Sequence, residues 1–416
     1  MKIGVVQFPG SNCERETKLA LERVGLTPVD CFWHSPASLV DSLDGFVIVG
    51  GFSYEDRVRS GLIASKDPFM QNLAKAAQAG KPILGVCNGA QILVESGLVP
   101  GFEDQHIAMA LTTNQRVKEG KLLGTGFYND WVYLKSNQAG AEPIHIPMAH
   151  AEGRFLLSEE LYHALVQAGA TFYYYCDAEG QITPEFPVNP NGSVHNLAAV
   201  SNAAGNVMAM MPHPERTPSG DVVLKDFFLN PCQRGETENK PSLLKQSSPK
   251  GCETRDEALF SVSHGQGFHF THYERNEQAL HYWVSLLIHD NEAISLENTL
   301  QQMGLPVSLK KLVHWEVAAP QSLDTLIRES DELFNQQKEY LSEAKGKRCY
   351  VIRPHEDELA LEKQETLSKL CKTAVGVKRE IVWCVDYPAE AEAEVKAVLE
   401  GQAILGNPLA HEGFIL

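Results

Sequence analysis

Short apolar runs alternate with amphipathic stretches along the first half of the chain. The runs at residues 3–7, 45–49, 82–86 and 207–211 have the length and the flanking breakers of buried strands. The stretches at residues 13–24, 68–79 and 88–96 carry apolar residues at helical spacing. Such alternation favours an open, mostly parallel sheet with helices on both faces. The pattern therefore predicts an α/β domain over residues 1–229.

A polar stretch follows this region. Residues 230–257 contain few apolar positions and several Pro, Gly and Ser breakers, which is typical of a linker. Residues 258–416 return to apolar runs separated by helical stretches. We therefore expect three parts: a domain at 1–229, a linker at 230–257 and a smaller domain at 258–416.

The last part of the chain contains an internal repeat with an offset of 68 positions. Three residue pairs mark it: Tyr282 and Tyr350, Trp315 and Trp383, and Pro320 and Pro388. The first copy predicts a strand at 282–288, a helix at 295–303, a strand at 311–317 and a helix at 322–340. The second predicts a strand at 349–353, a helix at 359–371, a strand at 379–385 and a helix at 389–399. Two equivalent βαβα units indicate a duplicated α+β domain with paired sheet halves.

Composition and charge narrow the class of protein. The chain has 416 residues, of which 43% are hydrophobic and 21% charged, as in globular proteins of two or three domains. A formal net charge of −17 disfavours nucleic acid and anionic membranes as partners. The amino terminus leads directly into an apolar strand, and no apolar stretch has the length of a membrane span. We therefore expect a cytoplasmic protein.

The nine cysteines are odd in number and lack paired spacing, which argues against a disulfide framework. No C-x-x-C pattern occurs, so we predict no structural zinc site and no metal. Cys13, Cys349 and Cys384 lie in or beside apolar segments, so we expect them to be small core residues.

One cysteine has a different setting. Cys87 stands between the apolar strand at 82–86 and the helix at 88–96, with Gly85 and Gly89 on either side. Small residues are needed around a nucleophile on a sharp strand-to-helix turn, as in the related G-x-S-x-G arrangement. A helix N-terminus also favours the thiolate, which is the reactive form. Taken alone, the pattern fits a nucleophile and an inert core cysteine about equally well.

A second segment favours the nucleophile. The strand at 207–211 runs into Pro212, His213, Pro214 and Glu215, and prolines bias the chain towards extended geometry. Residues two apart in an extended chain point the same way, so His213 and Glu215 can act together. The imidazole would accept and return the thiol proton while the carboxylate orients it. Cys87, His213 and Glu215 are therefore the predicted catalytic triad, at the carboxyl ends of parallel strands.

The order of these motifs resembles class I glutamine amidotransferases, which release ammonia from glutamine through a thioester. Within that class the chain resembles the glutaminase subunits of phosphoribosylformylglycinamidine synthase over about residues 1–230. Four strings carry this likeness: FPGSNC at 8–13, GGFSYED at 50–56, IPMAHAEGR at 146–154 and NPNGS at 189–193. Ala90 and Ala151 depart from the family pattern and leave the triad intact.

The resemblance implies roles for further residues. The backbone N–H groups of Gly51 and Asn88 would form the oxyanion hole. Gln91 would contact bound glutamine, and His150 and Glu152 are candidates for substrate binding or for a structural role. The family also implies L-glutamine as substrate and a separate synthetase subunit as partner. Since the chain has no G-x-x-x-x-G-K-[ST] loop, we expect ATP and Mg²⁺ on that partner and no cofactor here.

Each copy of the repeat resembles the small bridging subunit of the same synthase, through its size, its element order and the string ILGNP at 404–408. The chain would then fuse the glutaminase to a docking module for the synthetase, which raises their effective concentration. Two other hypotheses stay open for the whole chain. It could be a silent scaffold that keeps the amidotransferase fold, or a cysteine hydrolase that acts on another amide.

Overall fold

The computed structural model describes residues 1–102, 104–138, 140–230 and 268–416. The chain divides into two compact units, Met1–Gly265 and Gln266–Leu416. Apart from Asn230, the predicted linker at 230–257 lies outside the described residues. Among the helices that the structure describes, none combines the length and the apolar character that a membrane crossing requires.

A nine-stranded sheet forms the centre of the first unit, with five strands in parallel at one side and four antiparallel strands beyond them. In sheet order its strands are β2 (Thr27–Phe32), β1 (Lys2–Gln7), β3 (Gly45–Ile48), β4 (Ile83–Val86), β13 (Val207–Met210), β12 (Leu197–Ser201), β11 (Thr171–Cys176), β8 (Tyr128–Ser136) and β9 (Ile144–His150). Every residue of β3, β4 and β13 is buried, as expected for strands covered on both faces. The predicted α/β fold is confirmed.

Helices and short strands complete the first unit. The helices are α1 (Glu14–Arg23), α2 (Ala37–Ser42), α3 (Leu62–Ser65), α4 (Phe69–Gln78), α5 (Asn88–Glu95), α6 (Glu159–Gln167) and α7 (Asp221–Leu229). The strand β5 (Ala110–Thr113) pairs with β10 (Glu152–Leu156), and β6 (Gln115–Lys118) pairs with β7 (Lys121–Thr125). The predicted helices at 13–24, 68–79 and 88–96 correspond to α1, α4 and α5.

The second unit contains a seven-stranded sheet. In sheet order its strands are β14 (Phe270–His272), β20 (His411–Ile415), β18 (Arg348–Pro354), β19 (Gly376–Asp386), β16 (Ser308–Ala318), β15 (Leu280–Leu286) and β17 (Glu339–Leu341). Its helices are α8 (Asn291–Gln302), α9 (Asp324–Glu329), α10 (Glu358–Cys371) and α11 (Glu392–Gly401).

The pairing of the second sheet follows the repeat. The central strands β16 and β19 run antiparallel, and Val313 pairs with Ile381, its own equivalent 68 positions later. The two copies are therefore related by a local pseudo-twofold at this pair. Each copy also ends in a short strand that the sequence did not predict: β17 pairs with β15, and β20 pairs with β18.

The helix predicted at 322–340 is wrong in its second half. Helix α9 ends at Glu329, and the backbone takes a left-handed conformation at Asp331, where φ is 54°. Residues Glu339–Leu341 then pair with β15 as a strand. The backbone N–H and C=O groups of this segment form hydrogen bonds with the sheet edge instead of within a longer helix.

Candidate active site

Cys87 occupies a strained turn between β4 and α5. Its φ is 52° and its ψ is −108°, a conformation that residues with a side chain rarely adopt and that clusters at functional sites. A Cβ on Gly85 would lie 2.4 Å from the carbonyl oxygen of Gly89, and one on Gly89 would lie 2.0 Å from that of Ile48. The turn therefore requires glycine at both flanking positions, for the packing reason that the sequence indicated.

His213 and Glu215 form a buried pair just after β13. The Nδ1 atom of His213 donates a hydrogen bond of 2.7 Å to Oε1 of Glu215, and the two residues are only 1% and 3% exposed. Since a carboxylate can only accept, this bond sets the proton of the neutral imidazole on Nδ1. Within the described part of the chain, no group hydrogen-bonds to Nε2, which is left available for a thiol proton.

The charges around His213 favour its protonated form. Burial alone lowers the pKa of His213, but the negative charge of Glu215 and that of Cys87 in its ionised form raise it, so that the pKa lies well above its ordinary value. An imidazolium beside a thiolate is the reactive state of a cysteine–histidine pair.

Adjacent strands bring the two halves of the predicted triad together. β4 and β13 run in parallel, and the backbone N–H of Cys87 donates to the carbonyl of Met210 over 2.8 Å. The position that a Cβ of Gly50 would occupy lies 3.1 Å from Cε1 of His213 and 3.5 Å from Cβ of Cys87. Both side chains thus meet above the glycine pair at the end of β3, at the carboxyl edge of the sheet.

The two predicted oxyanion-hole residues flank this point. Gly51 follows Gly50 directly and has a φ of 141°; a Cβ there would lie 2.7 Å from the backbone nitrogen of Asn12. Asn88 is the first residue of α5, so its backbone N–H has no acceptor within the helix. Their roles in stabilising an oxyanion stay a prediction.

The Asn88 side chain has a function that the sequence did not reveal. Its Oδ1 accepts from the backbone N–H of Ser53 over 3.0 Å, and its Nδ2 donates to Oδ1 of Asp56 over 3.1 Å and to Oε1 of Gln91 over 2.9 Å. Tyr54 and Asp56 both have positive φ in this segment. Asn88 thus ties the loop after Gly51 to the start of α5. We call these three hydrogen bonds the Asn88 clamp. The sequence did not predict it, because the spacing of residues around Asn88 does not show which groups its side chain contacts.

Gln91 and Glu152 are connected to this clamp. Nε2 of Gln91 donates to the backbone carbonyl of Glu152 over 2.5 Å, so the Gln91 amide contacts protein groups at both ends. The Glu152 carboxylate accepts from the backbone N–H of Ser60, and burial raises its pKa. Burial and the charge of Glu152 raise the pKa of Asp56 to about 7. The predicted contact of Gln91 and Glu152 with substrate stays a prediction.

His150 lies near His213 of the predicted triad and is neutral. Its Nδ1 is 3.2 Å from Oδ1 of Asn114, and its ring fills the space that a side chain on Gly153 would need. Burial and the nearby His213 lower the pKa of His150 to about 3. A neutral imidazole next to a protonated one keeps the local charge low. Its role in substrate binding also stays a prediction.

A second thiol lies next to His213. Nη2 of Arg216 donates to Sγ of Cys13 over 3.2 Å, and ligand atoms of Cys13, His213 and Glu215 lie within 4.8 Å of one another. These atoms could hold a metal ion, but Glu215 is already bonded to His213 and a guanidinium contacts the sulfur. Cys13 is buried, as expected of a core residue, and the sequence did not reveal that it borders the site.

Part of the chain is similar to known proteins. Residues 1–223 match the CobB/CobQ-like glutamine amidotransferase domain. The phosphoribosylformylglycinamidine synthase subunit PurQ of Methanothrix thermoacetophila is 44% identical over 228 residues, which cover 52% of this chain and 86% of that protein. The same subunit of Acaryochloris marina is 41% identical over 232 residues, which cover 55% of this chain and 93% of that protein. The structure of PurLQS from Thermotoga maritima aligns with a TM-score of 0.43 and 31% identity, over 55% of this chain and 97% of that chain.

Proposed function

Because the chain belongs to the CobB/CobQ-like glutamine amidotransferase family, we propose that it is the glutaminase component of phosphoribosylformylglycinamidine synthase. It hydrolyses L-glutamine to glutamate and supplies ammonia for purine biosynthesis. The acceptor is a separate ATP-dependent synthetase, which converts formylglycinamide ribonucleotide to formylglycinamidine ribonucleotide. The observation that carries the proposal is the meeting of Cys87 with the His213–Glu215 pair at the carboxyl edge of the sheet.

The reaction proceeds in two halves. The Cys87 thiolate attacks the carboxamide carbon of glutamine, and the N–H groups of Gly51 and Asn88 stabilise the charge that develops on the amide oxygen. His213 then protonates the departing ammonia, which leaves a γ-glutamyl thioester on the sulfur. In the second half His213 takes a proton from water, which attacks the thioester and releases glutamate. Glu215 holds the His213 ring through both halves.

We propose that glutamine contacts the hydrogen-bonded residues around the strained turn at Cys87, which we call the nucleophile elbow. We assign Gln91, His150 and Glu152 to glutamine binding or to the support of that site. Gln91 is bonded both to the oxyanion-hole residue Asn88 and to the backbone of Glu152, so a ligand at one of these residues would affect the others. Glutamine is a zwitterion and needs no phosphate cradle.

The proposal places the energy-dependent chemistry elsewhere. We expect ATP and Mg²⁺ on the partner synthetase and no cofactor on this chain, and we expect the assembly in the cytoplasm. For the second unit we propose docking to that synthetase. The support is its duplicated sheet, whose two copies pair about the Val313–Ile381 position. Loss of co-purification after removal of the residues beyond 229 would bear this out, and undiminished co-purification would contradict it.

Replacement of the nucleophile tests the catalytic assignment. We expect Cys87→Ala to abolish glutamine-dependent synthesis in the presence of the synthetase and to spare synthesis driven by added ammonium, because only the glutaminase half needs the thiol. Cys31→Ala is the matched control, since Cys31 is also buried but lies on β2. If Cys87→Ala retains glutamine-dependent synthesis, the assignment is wrong.

A further inference from the structure

Two cysteines face each other across neighbouring strands of the second unit. Cys349 on β18 and Cys384 on β19 are direct partners in the antiparallel register. Their sulfur atoms are 3.0 Å apart, and the thiol of Cys349 donates to the sulfur of Cys384. Both residues are buried, at 6% and 1% exposure. Both belong to the second unit, whereas the residues of the proposed glutaminase site belong to the first.

The backbone already has the geometry that a disulfide needs. Directly opposed residues of antiparallel strands have Cα atoms about 4.5–5.5 Å apart, within the range of about 4.4–6.8 Å that disulfides span. Both side chains belong to one apolar cluster with Leu312, Val351 and Val382, so they project from the same face of the sheet. Bond formation therefore requires no change of register.

The environment of the two sulfurs is asymmetric, which favours exchange chemistry. The hydrogen bond from Cys349 lowers the pKa of Cys384, although burial raises it. The charge of Lys310 also lowers the pKa of Cys384. The same hydrogen bond and burial raise the pKa of Cys349. Cys384 is thus the better thiolate and Cys349 the partner that resolves it.

The repeat shows that the fold itself does not demand this pair. The equivalent positions 68 residues earlier are His281 and Glu316, which are also direct partners across β15 and β16. The first copy thus forms the same strand pair with polar residues. Two facing thiols are a particular property of the second copy.

A short segment covers the pair. A Cβ on Gly346 would lie 3.1 Å from Cβ of Cys384, and Ala344 packs against the same cluster. The segment is fastened by the hydrogen bond of 2.8 Å from Lys310 to Ser342. Because both cysteines are buried, an oxidant reaches their sulfurs only after local opening, so the reaction should be slower than at an exposed thiol.

We propose that Cys349 and Cys384 are a reversible thiol–disulfide pair that low-molecular-weight disulfides such as glutathione disulfide oxidise. The Cys384 thiolate attacks one sulfur of the reagent and expels the first glutathione thiolate. Cys349 then gives up its proton, attacks the mixed disulfide at Cys384 and expels the second. One S–S bond forms in the protein while one glutathione disulfide is reduced to two glutathione molecules, so atoms and electrons balance.

Peptide mapping of the native full-length chain tests the proposal. After incubation with glutathione disulfide, trapping of free thiols and trypsin digestion without reductant, we expect the peptides 349–363 and 380–396 to be joined. Each of these peptides contains one cysteine. The link should disappear with dithiothreitol, and it should be absent from Cys349→Ser and Cys384→Ser.

Cys371→Ser is the matched control, because Cys371 is more exposed and lies nearby in sequence at the end of α10. It should form the link as the wild type does. The oxidised wild type should also melt roughly 5–15 °C above the reduced form, since a cross-link restricts the unfolded chain. Stable glutathione adducts without the link, or a link that forms only in denaturant, would overturn the proposal. This experiment needs no glutaminase activity and is independent of the proposed function.

Discussion

Replacement of Glu215 by glutamine tests how the triad uses its carboxylate. The carboxylate is buried, accepts from Nδ1 of His213 over 2.7 Å and raises the pKa of that imidazole. Glutamine has nearly the same shape, but its NH₂ group can donate to Nδ1. The imidazole proton would then move to Nε2, which could no longer accept the proton of the Cys87 thiol.

The expected size of the effect has two contributions. A hydrogen bond to a charged group contributes about 1.5–3 kcal/mol, which corresponds to roughly 10- to 150-fold in rate. Loss of the correct tautomer adds to this, and the analogous change in a serine triad lowers kcat by about 10⁴. We therefore expect Glu215→Gln to lower glutamine-dependent kcat between about 10²- and 10⁴-fold. The alkaline limb of the kcat/KM profile should also move to lower pH, because the pKa of His213 falls.

The assay compares glutamine-dependent with ammonium-dependent synthesis in the presence of the synthetase. Ammonium-dependent synthesis should not change. Glu159→Gln is the control, since Glu159 lies 3.0 Å from Nε2 of His195 in an exposed pair, where such contacts contribute little. A Glu215→Gln enzyme with more than about a tenth of the wild-type glutamine-dependent rate and an unmoved pH profile would refute this account of the triad.

Two further predictions concern stability. The pKa of His150 is about 3 in the folded chain and about 6.5 when unfolded, so its contribution to the free energy of unfolding is full above pH 6.5 and is lost as the pH falls. The difference in the free energy of unfolding between wild type and His150→Gln, measured with urea, should therefore shrink by roughly 2 kcal/mol between pH 7.5 and pH 5. A difference that stays constant with pH would contradict this. Gly89→Ala should lower the melting temperature by several degrees and impair glutaminase activity, because its Cβ would lie 2.0 Å from the Ile48 carbonyl oxygen. Gly401→Ala is the control, because a Cβ on this helical residue would meet no atom of the described residues within 4 Å. Its melting temperature should equal that of the wild type or lie slightly higher. Equal melting temperatures of Gly89→Ala and Gly401→Ala would show that the turn at Cys87 tolerates a side chain.

Local patterns were sufficient for much of the architecture. The apolar runs predicted β1, β3, β4 and β13 to within one or two residues, because strands buried on both faces leave continuous apolar segments. The elbow at Cys87 was predictable from its flanking glycines, since the close approach of α5 to β3 and β4 excludes a Cβ at those positions. The offset of 68 predicted a duplicated sheet, and the Val313–Ile381 register follows that offset.

Other features depended on contacts between distant segments. The antiparallel strands β8, β9 and β11 and the end of helix α9 were not predictable, because pairing with a sheet edge overrides local propensity.

The amino-acid sequence by itself predicted the strands and helices around the site, the candidate nucleophile Cys87 and the presence of a repeat, because apolar runs, flanking glycines and a fixed offset can all be read from it. Only the tertiary structure decided which polar and sulfur atoms meet. The hydrogen bonds of Asn88 to Ser53 and Asp56, the position of Cys13 beside His213 and the 3.0 Å approach of Cys349 to Cys384 all join residues that are far apart in the chain. Packing between distant segments sets such distances, and the spacing of neighbouring residues does not show which side chains it brings into contact.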